Sequence, residues 1–424
     1  MKKENNQHGN PWGDLRDYGA YLLILLKWIA ISIGIGVIVG SISSVFGHTL
    51  ILVNNIRGQY PFVVYFLPIG GLMIVALYRG CRNTSDKGTK TVVASIQEST
   101  DIPFKMAPLI FVSTTITQLV GGSAGREGAA LQLGGSIAKR LGRLYNLNGD
   151  NQRTIVMCGM SAAFSALFGT PLAAAVFSME VVSVGIMHYS ALVPCVISSL
   201  TANLVAQFFQ VPPEVFPVTQ IPQVTALNLL KLLAFGAVVG GVSSLFCVVL
   251  HKAEHLYEKY IKNQYLRIAV AGFLLIGMTL ALGTQEYLGS GMGIIEHIFH
   301  EGETHWYTFL MKMLFTAVTL GAGFKGGEIV PSFTIGAALG CAVASILGLP
   351  AQLVAACGMV GLFCGVTNSP ITSLLIAFEL FGFAGMPYYL ITIAVSYMVS
   401  GHHSLYHKQK IVFSKTKTNY VANE

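Results

Sequence analysis

The chain has 424 residues, 53% hydrophobic and only 11% charged, with 46 glycines and a net charge of +7 from 26 Lys and Arg against 19 Asp and Glu. Soluble globular chains carry about 25% charged residues, so most of this surface is not built for water, and disordered, collagenous and ordinary cytosolic classes are excluded. The basic excess reads as membrane orientation rather than a nucleic-acid surface, and no nucleic-acid partner is expected.

The chain opens on a polar stretch, MKKENNQHGNPWGDLRDYG, before its first apolar run, and no small-residue cleavage pattern follows that run. The first helix is therefore expected to stay rather than to be removed as a signal peptide. Lys2 and Lys3 at one end and Lys408, Lys410, Lys415 and Lys417 at the other suggest cytoplasmic termini and an even number of crossings.

Apolar runs follow near 20–47, 61–78, 107–121, 154–209, 227–251, 267–283, 308–322, 332–363 and 370–399. Between Thr154 and Leu250 the only charges are Glu180, Glu214 and Lys231, and between Ile329 and His407 only Glu379. The fold class expected is an all-α polytopic membrane protein. Several runs fall short of the roughly 20 residues a crossing helix needs, and others hold two or more helices. Glycine and proline interrupt many of them, and a bilayer tolerates broken helices only where the freed backbone is buried in protein or lines a polar cavity. That pattern points to a transporter or channel.

Two segments repeat. GMSAAFSALFGTPLAAAVFSME (Gly159 to Glu180) and GMVGLFCGVTNSPITSLLIAFE (Gly358 to Glu379) each place proline 12 positions and glutamate 21 positions after the first glycine. GGSAGREGAALQLGG from Gly121 and GAGFKGGEIVPSFTIG from Gly321 align Gly122 with Gly323, Gly125 with Gly326, Glu127 with Glu328 and Gly135 with Gly336. The offsets are 199 and 201, one register with a two-residue gap, so two homologous halves are read at roughly 20–210 and 225–406 of a single transmembrane domain. Repeat halves in transporters meet at a midplane site approached by interrupted helices. Glu127 and Glu328 lie in those interrupted segments.

Each of these glutamates stands in a glycine-rich turn, the first just before a helical stretch expected over Ala129 to Leu144. Free N–H groups and the helix dipole make such a turn an anion site. A tethered carboxylate there is either a plain helix cap or a stand-in anion that protonation displaces, coupling protons to anion movement. Burying two capping acids in a membrane costs several kcal/mol, which favours the second reading.

At this point the residues resemble the CLC anion channels and transporters, over nearly the whole chain. GREG (Gly125 to Gly128) is similar to the family's GREGP or GKEGP signature, which implies Glu127 as the external gate. GGEIVP (Gly326 to Pro331) resembles the GxFxP segment, whose amides line the central anion site. FGTPLAAAVFSME resembles the helix ending in acids near the dimer interface, and SLYHKQ the last helix, whose tyrosine, here Tyr406, faces the anion. KGTKT (Lys87 to Thr91) is the nearest match to GSGIP and assigns Thr89. The resemblance implies a fold of about 18 tilted and broken helices in two inverted halves. It also implies a homodimer, a halide anion and protons as partners, and an anion site at Thr89, Gly125, Arg126, Gly128, Gly327, Ile329, Val330 and Tyr406. Glu127 and Glu328 would perform gating and proton coupling.

The departures bear on the ion. Ala129 replaces the proline after the gate motif, Val181 stands where chloride/proton exchangers carry an inner acid, and Ile329 replaces the phenylalanine of GxFxP. Together with Glu328 these changes are similar to the bacterial fluoride/proton antiporter branch. Against it, that branch has methionine near Thr89 and often threonine at Val330. Fluoride export is favoured, with chloride/proton exchange and a passive anion channel as alternatives. An intramembrane enzyme lacks any nucleophile–base or metal spacing, so no catalytic residue, cofactor or metal is expected.

The remaining polar residues have plainer readings. Glu180 and Glu379 read as satisfied carboxylates facing an interface or the cytosol before they read as proton relays. Arg126 either raises the local potential or is packed and paired. EHIFHEGETH, with His297 and His300, reads as a loop. Asn368 is expected to satisfy backbone at a helix break, the seven cysteines to pack as small core residues, and Gly236, Gly240 and Gly241 to let helices approach closely. Only 18 residues follow Tyr406, too few for the nucleotide-sensing (CBS) domains of some relatives. Without such domains, and with a polar N-terminus, the chain fits a bacterial inner membrane.

Overall fold

The computed structural model describes residues 11–83, 88–98, 101–406 and 409–415. Lys2, Lys3, Lys87, Lys408 and Lys417 lie outside them. The described residues open on a long helix, α1 (Pro11–Gln59), and a 3₁₀ turn at Pro61–Phe66 leads into α2 (Leu67–Gly80). Then come α3 (Thr89–Glu98), α4 (Met106–Leu119), α5 (Glu127–Leu144), α6 (Gly149–Phe168), α7 (Pro171–Glu180) and α8 (Leu192–Phe208), with a short 3₁₀ turn before α8. After an extended segment, residues 209–225, the chain continues through α9 (Ala226–Tyr260), α10 (Gln264–Leu282), α11 (Met292–Glu301) and α12 (Thr308–Ala322). It ends in α13 (Ile329–Leu347), α14 (Ala351–Thr367), α15 (Pro370–Phe381) and α16 (Met386–Val399). Two short strands, β1 (Ser183–Val184) and β2 (Lys410–Ile411), pair in parallel and tie the C-terminal segment beneath α7.

Among the described residues, six helical segments are long and apolar enough to cross a membrane. Tyr21, Leu22, Leu23 and Ile24 of α1 are exposed in succession, all round the helix, a surface suited to lipid. The protein is a multi-pass, all-helical membrane protein. Its helices pack where side chains vanish. Gly36 and Gly40 of α1 abut Ser198, Thr201 and Ala202 of α8, and Gly236 and Gly240 of α9 abut Thr392, Val395 and Val399 of α16. Gly241 faces open space and makes no such contact.

The two tightest crossings have the same construction. A methyl on Gly134 of α5 would run into the Gly159 carbonyl of α6, and the reverse holds; Gly336 of α13 and Gly358 of α14 block each other in the same way. Phe164, Phe168 and Phe177 from one side and Phe333 and Phe363 from the other form a continuous aromatic core, with Phe168 and Phe333 rings 5.7 Å apart.

Helices α7 and α15 each start on a proline and end near an acid, Glu180 buried and Glu379 half-buried, and each acid caps the other helix. Glu180 accepts from the N–H groups of Ile371 (3.1 Å) and Thr372 (2.8 Å) and from the Thr372 hydroxyl (2.6 Å). Glu379 accepts from the N–H groups of Leu172 and Ala173, both at 2.9 Å. Each carboxylate thus meets N–H groups that proline-led helices leave without intrahelical partners. These acids are satisfied structural groups.

The stretch EHIFHEGETH, expected to be a loop, is helical as far as Glu301 and non-helical only from Gly302 to His305. α11 runs between two left-handed glycines, Gly291 (φ 93) and Gly302 (φ 73), and buries Ile294, Ile295, Ile298 and Phe299 while Glu296, His297 and His300 face outward. The charges that suggested a loop are the solvated face of an amphipathic helix. Asn368 adopts a left-handed conformation (φ 60) at the end of α14 and donates to the His403 carbonyl and the Gln409 side chain. Six cysteines are buried; Cys81, just past α2, is exposed.

Candidate functional site at two paired helix breaks

Between α4 and α5, and again between α12 and α13, the chain leaves helix through a left-handed glycine, Gly121 (φ 88) and Gly323 (φ 107). It re-enters helix beside a glutamate, Glu127 at the first position of α5 and Glu328 just before α13. The two breaks are hydrogen-bonded to each other. Gly125 N–H donates to the Gly327 carbonyl (2.6 Å) and Gly327 N–H to the Gly125 carbonyl (2.7 Å), an isolated antiparallel bridge in the protein's interior. A side chain at Gly327 would lie 2.5 Å from the Gly128 nitrogen, and one at Gly125 would lie 2.8 Å from Glu127 Oε2. Glycine is required here for close approach of backbone, and the bridge sets the helix starts of α5 and α13 side by side.

The bridge occupies the amides of Gly125 and Gly327. Those that remain toward the gap are the first N–H groups of the two helices. In α5 the N–H groups of Glu127, Gly128 and Ala129 precede the first intrahelical bond, from Ala130 N–H to the Arg126 carbonyl (2.9 Å). In α13 those of Ile329 and Val330 precede the bond from Ser332 N–H to the Glu328 carbonyl (3.1 Å). Ile329 and Val330 are fully buried, so their contribution to any ligand is backbone, not side chain.

Glu127 is completely buried and fills the head of its own helix. Its carboxylate accepts from Arg126 N–H (3.0 Å) and Arg126 Nε (3.3 Å). Arg126 also donates to the Leu167 carbonyl (3.2 Å) and forms an ion pair with Glu214 from the segment between α8 and α9. One guanidinium therefore serves two carboxylates, and burial raises the Glu214 carboxyl against the pull of Arg126. Arg126 is the packed, paired arginine that its position in the turn allowed.

Glu328 sits differently. It is only half-buried and opens onto a cavity of about 770 Å³ whose wall includes Tyr78, Thr89, Lys90, Gln132 and Leu405. A side chain at Gly128 would touch both Thr89 Oγ1 (3.1 Å) and Glu328 Oε2 (3.2 Å), so the two groups converge on that glycine. Gln132 Nε2 donates to Thr89 Oγ1 (3.2 Å) and to the Gly128 carbonyl (3.1 Å), and the Thr89 hydroxyl lies 3.3 Å from the same carbonyl. Tyr406 is buried within the field of Glu328, and its hydroxyl finds no hydrogen-bond partner among the described residues. A buried hydroxyl left unmatched costs about 1–3 kcal/mol, so it is a ready donor for a guest in this space. Its loop is pinned by Leu405 N–H to the Val366 carbonyl (2.9 Å) and by Gln409, which donates to the carbonyls of Val181 and Thr367 (both 2.9 Å).

The residues singled out in the sequence thus gather around one bridge: Gly125 to Gly128 on one side, Gly327 to Val330 on the other, Thr89 and Tyr406 at the flank. Sequence reasoning missed Glu214, Gln132, Gln118 and Lys312. Gln118 donates to the Ala124 carbonyl. The fully buried Lys312 ammonium donates to Ser123 Oγ (3.0 Å) and to the carbonyls of Tyr287 (3.1 Å) and Gly289 (2.8 Å), holding the strand that leads into Glu127. The one signal available was a lone charge in an apolar stretch, inside helix α12 at Lys312 and in the extended segment after α8 at Glu214.

Comparison with known proteins bears on this arrangement. The profile of the voltage gated chloride channel family matches residues 70–401. A chloride/fluoride channel protein of Pseudomonas syringae pv. tomato is 35% identical over 398 residues, 92% of this chain and 88% of its own length. The crystal structure of a CLC-type fluoride/proton antiporter superposes with a TM-score of 0.88 at 34% identity, over 91% of this chain and 98% of that one. A slow cyanobacterial Cl-/H+ antiporter has the same fold, with a TM-score of 0.76 at 20% identity over 88% and 94% of the two chains.

Proposed function

Because this chain belongs to the voltage gated chloride channel family, we propose that it is a secondary transporter that exports fluoride in exchange for protons. The Gly125–Gly327 bridge carries this reading, since it sets a buried acid and a half-buried one, each at a helix start, on either side of one small gap. In the cycle, the Glu127 carboxylate acts as the resident anion of its own helix head. Protonation neutralises it and loosens its hold on the α5 amides and Arg126. A halide then takes those amides, together with the N–H groups of Ile329 and Val330 and the Tyr406 hydroxyl. Glu328, open to the cavity, passes the proton on. Each charge-assisted hydrogen bond of this kind contributes about 1.5–3 kcal/mol, and several are needed to replace the water stripped from a small anion.

Fluoride over chloride is supported by Glu328 itself, by the absence of an acid at Val181, and by the relatives at 34% and 35% identity, whose names include fluoride. Thr89 and Val330, which depart from the fluoride branch, supply a hydroxyl and an amide that serve either ion. No bond-making chemistry is part of this function.

The same reading includes two inverted halves within one transmembrane domain, supported by the matched Gly134–Gly159 and Gly336–Gly358 crossings. It includes a homodimer in the inner membrane. It also includes cytoplasmic termini and a cytoplasmic cavity mouth. α2 and α10 run antiparallel, with Arg79 over the Tyr265 ring (4.6 Å) and Gly272 against Pro68. The cavity wall takes Tyr78 near the end of α2 and Gln264 at the start of α10, which supports a mouth on the side opposite the α1–α2 connection.

Liposomes loaded with fluoride or with chloride, followed by external pH, test the reading. Proton uptake accompanying fluoride efflux, with chloride slower by about tenfold or more, is expected. Fast anion loss with no proton movement would make the protein a channel, and proton uptake with chloride alone would name the other ion.

A further inference from the structure

Glu328 opens to a cavity of about 770 Å³, and groups on the wall of that cavity are placed to hand it protons. The cavity-lining face of α9 is unusual for a membrane helix: His251, Glu254, His255 and Glu258 recur at spacings of three and four and so share one side. Rising at about 1.5 Å per residue, this row covers roughly 10 Å of the wall. Side-chain exposure falls along the way in, from 62% at Glu258 to 43% at Glu254 and 21% at Lys90.

The acids of the cavity are not equivalent. Glu258 lies 3.8 Å from Arg267 of α10, and Asp101 is paired with Arg143. Lys325 stacks over the Tyr78 ring (4.5 Å). Glu254 alone is bound to Lys90 of α3, Nζ to Oε2 at 3.0 Å, and both members of that pair act electrostatically on Glu328. Lys90 is thereby a cation shared between two carboxylates, and it compensates one negative charge better than two.

We propose that Glu254, held by Lys90 on the wall of this cavity, is the loading site at which protons are taken from solvent and handed to Glu328. A proton from cavity water adds to the Glu254 carboxylate and weakens its bond to Lys90. The carboxylic acid gives that proton through water to the Glu328 carboxylate, and the Glu254–Lys90 pair re-forms. No other group is consumed. The inference rests on the proton-exchange reading above.

The test is fluoride-coupled proton flux in liposomes at equal pH on both sides, over a range of pH. Wild type and Glu254→Gln are compared with Lys90→Gln, which breaks the pair but keeps the acid, and with Glu254→Asp. The expected result for Glu254→Gln is an unchanged proton-to-fluoride ratio with turnover reduced on the order of tenfold near about pH 8 and recovered near about pH 6, where protons are abundant. Lys90→Gln and Glu254→Asp should keep most of the turnover at both pH values. An unaltered pH profile in Glu254→Gln would overturn the proposal. So would an equal loss at every pH in Glu254→Gln and Lys90→Gln, which would mark the pair as a brace between α3 and α9. Wild-type fluoride flux without protons would instead refute the exchange reading itself.

Discussion

Glu127 and Glu328 stand beside helix starts on opposite sides of one glycine bridge, and their surroundings make them unlike. Glu127 has no exposed surface and is gripped by Arg126, which Glu214 also engages. Glu328 faces a cavity of about 770 Å³ and shares a cation with a second acid on its wall. One backbone plan used twice has produced a sealed acid and a vented one. A sealed acid can only trade places with what occupies its cradle, whereas a vented acid can trade protons with water. In the proposed cycle, the division of labour between gate and proton port follows from access, not from residue type.

Equalising the two acids in turn should give the largest effects. Glu127→Gln is expected to lower proton transport on the order of a hundredfold while fluoride still passes, because a neutral amide no longer competes for the helix head. Glu328→Gln should also cut proton transport, by about tenfold, but leave fluoride flux dependent on pH through Glu127. Anion and proton fluxes measured together separate the two; identical behaviour in both variants would erase the asymmetry.

The bridge that sets the acids side by side can be broken by one methyl. Gly327→Ala should cost about 1–3 kcal/mol, since its Cβ meets backbone that cannot retreat. Gly241→Ala, in open space on α9, should be neutral or slightly stabilising. Thermal unfolding in detergent compares them, and equal midpoints would contradict the close fit. A smaller effect is expected from Glu214→Gln. It leaves Arg126 to Glu127 alone, tightens the sealed acid, and should slow fluoride turnover by a factor of about three. Faster turnover would contradict that role.

The smallest effect concerns the C-terminal segment that pins Tyr406. Burial pushes the Lys415 ammonium down to about 8 from its ordinary 10.5, although it lies over the Tyr397 ring and donates to Ser400 (2.9 Å). A base whose value is lowered by docking disfavours the docked state while it is charged. Docking is therefore weakest below about pH 8 and strengthens as pH rises toward 10.5. A spin label at Lys410→Cys should become less mobile across that range; greater mobility would reverse the assignment.

The membrane class, the broken helices and the two key acids were legible because each is local. Glycine spacing marks a turn, and a charge in an apolar run is conspicuous. What escaped was what distant segments bring together. Nothing near Arg126 in sequence announces Glu214, 88 residues on, and nothing near Glu328 announces Lys90 and Glu254. The mutual capping by Glu180 and Glu379 was likewise hidden, although their matched positions were plain, because a cap is visible only once the partner helix is in place. The loop expected around His297 failed for a different reason: its polar residues were counted, but the spacing of Ile294, Ile295, Ile298 and Phe299 was not.

The most direct measurement asks whether a proton gradient can do work on fluoride. Proteoliposomes with equal fluoride inside and out, membrane potential held at zero, and an acidic exterior should drive fluoride outward until its external concentration exceeds the internal one. Fluoride that stays at equilibrium under that gradient would contradict obligate exchange and with it the pairing of a sealed gate to a vented proton port.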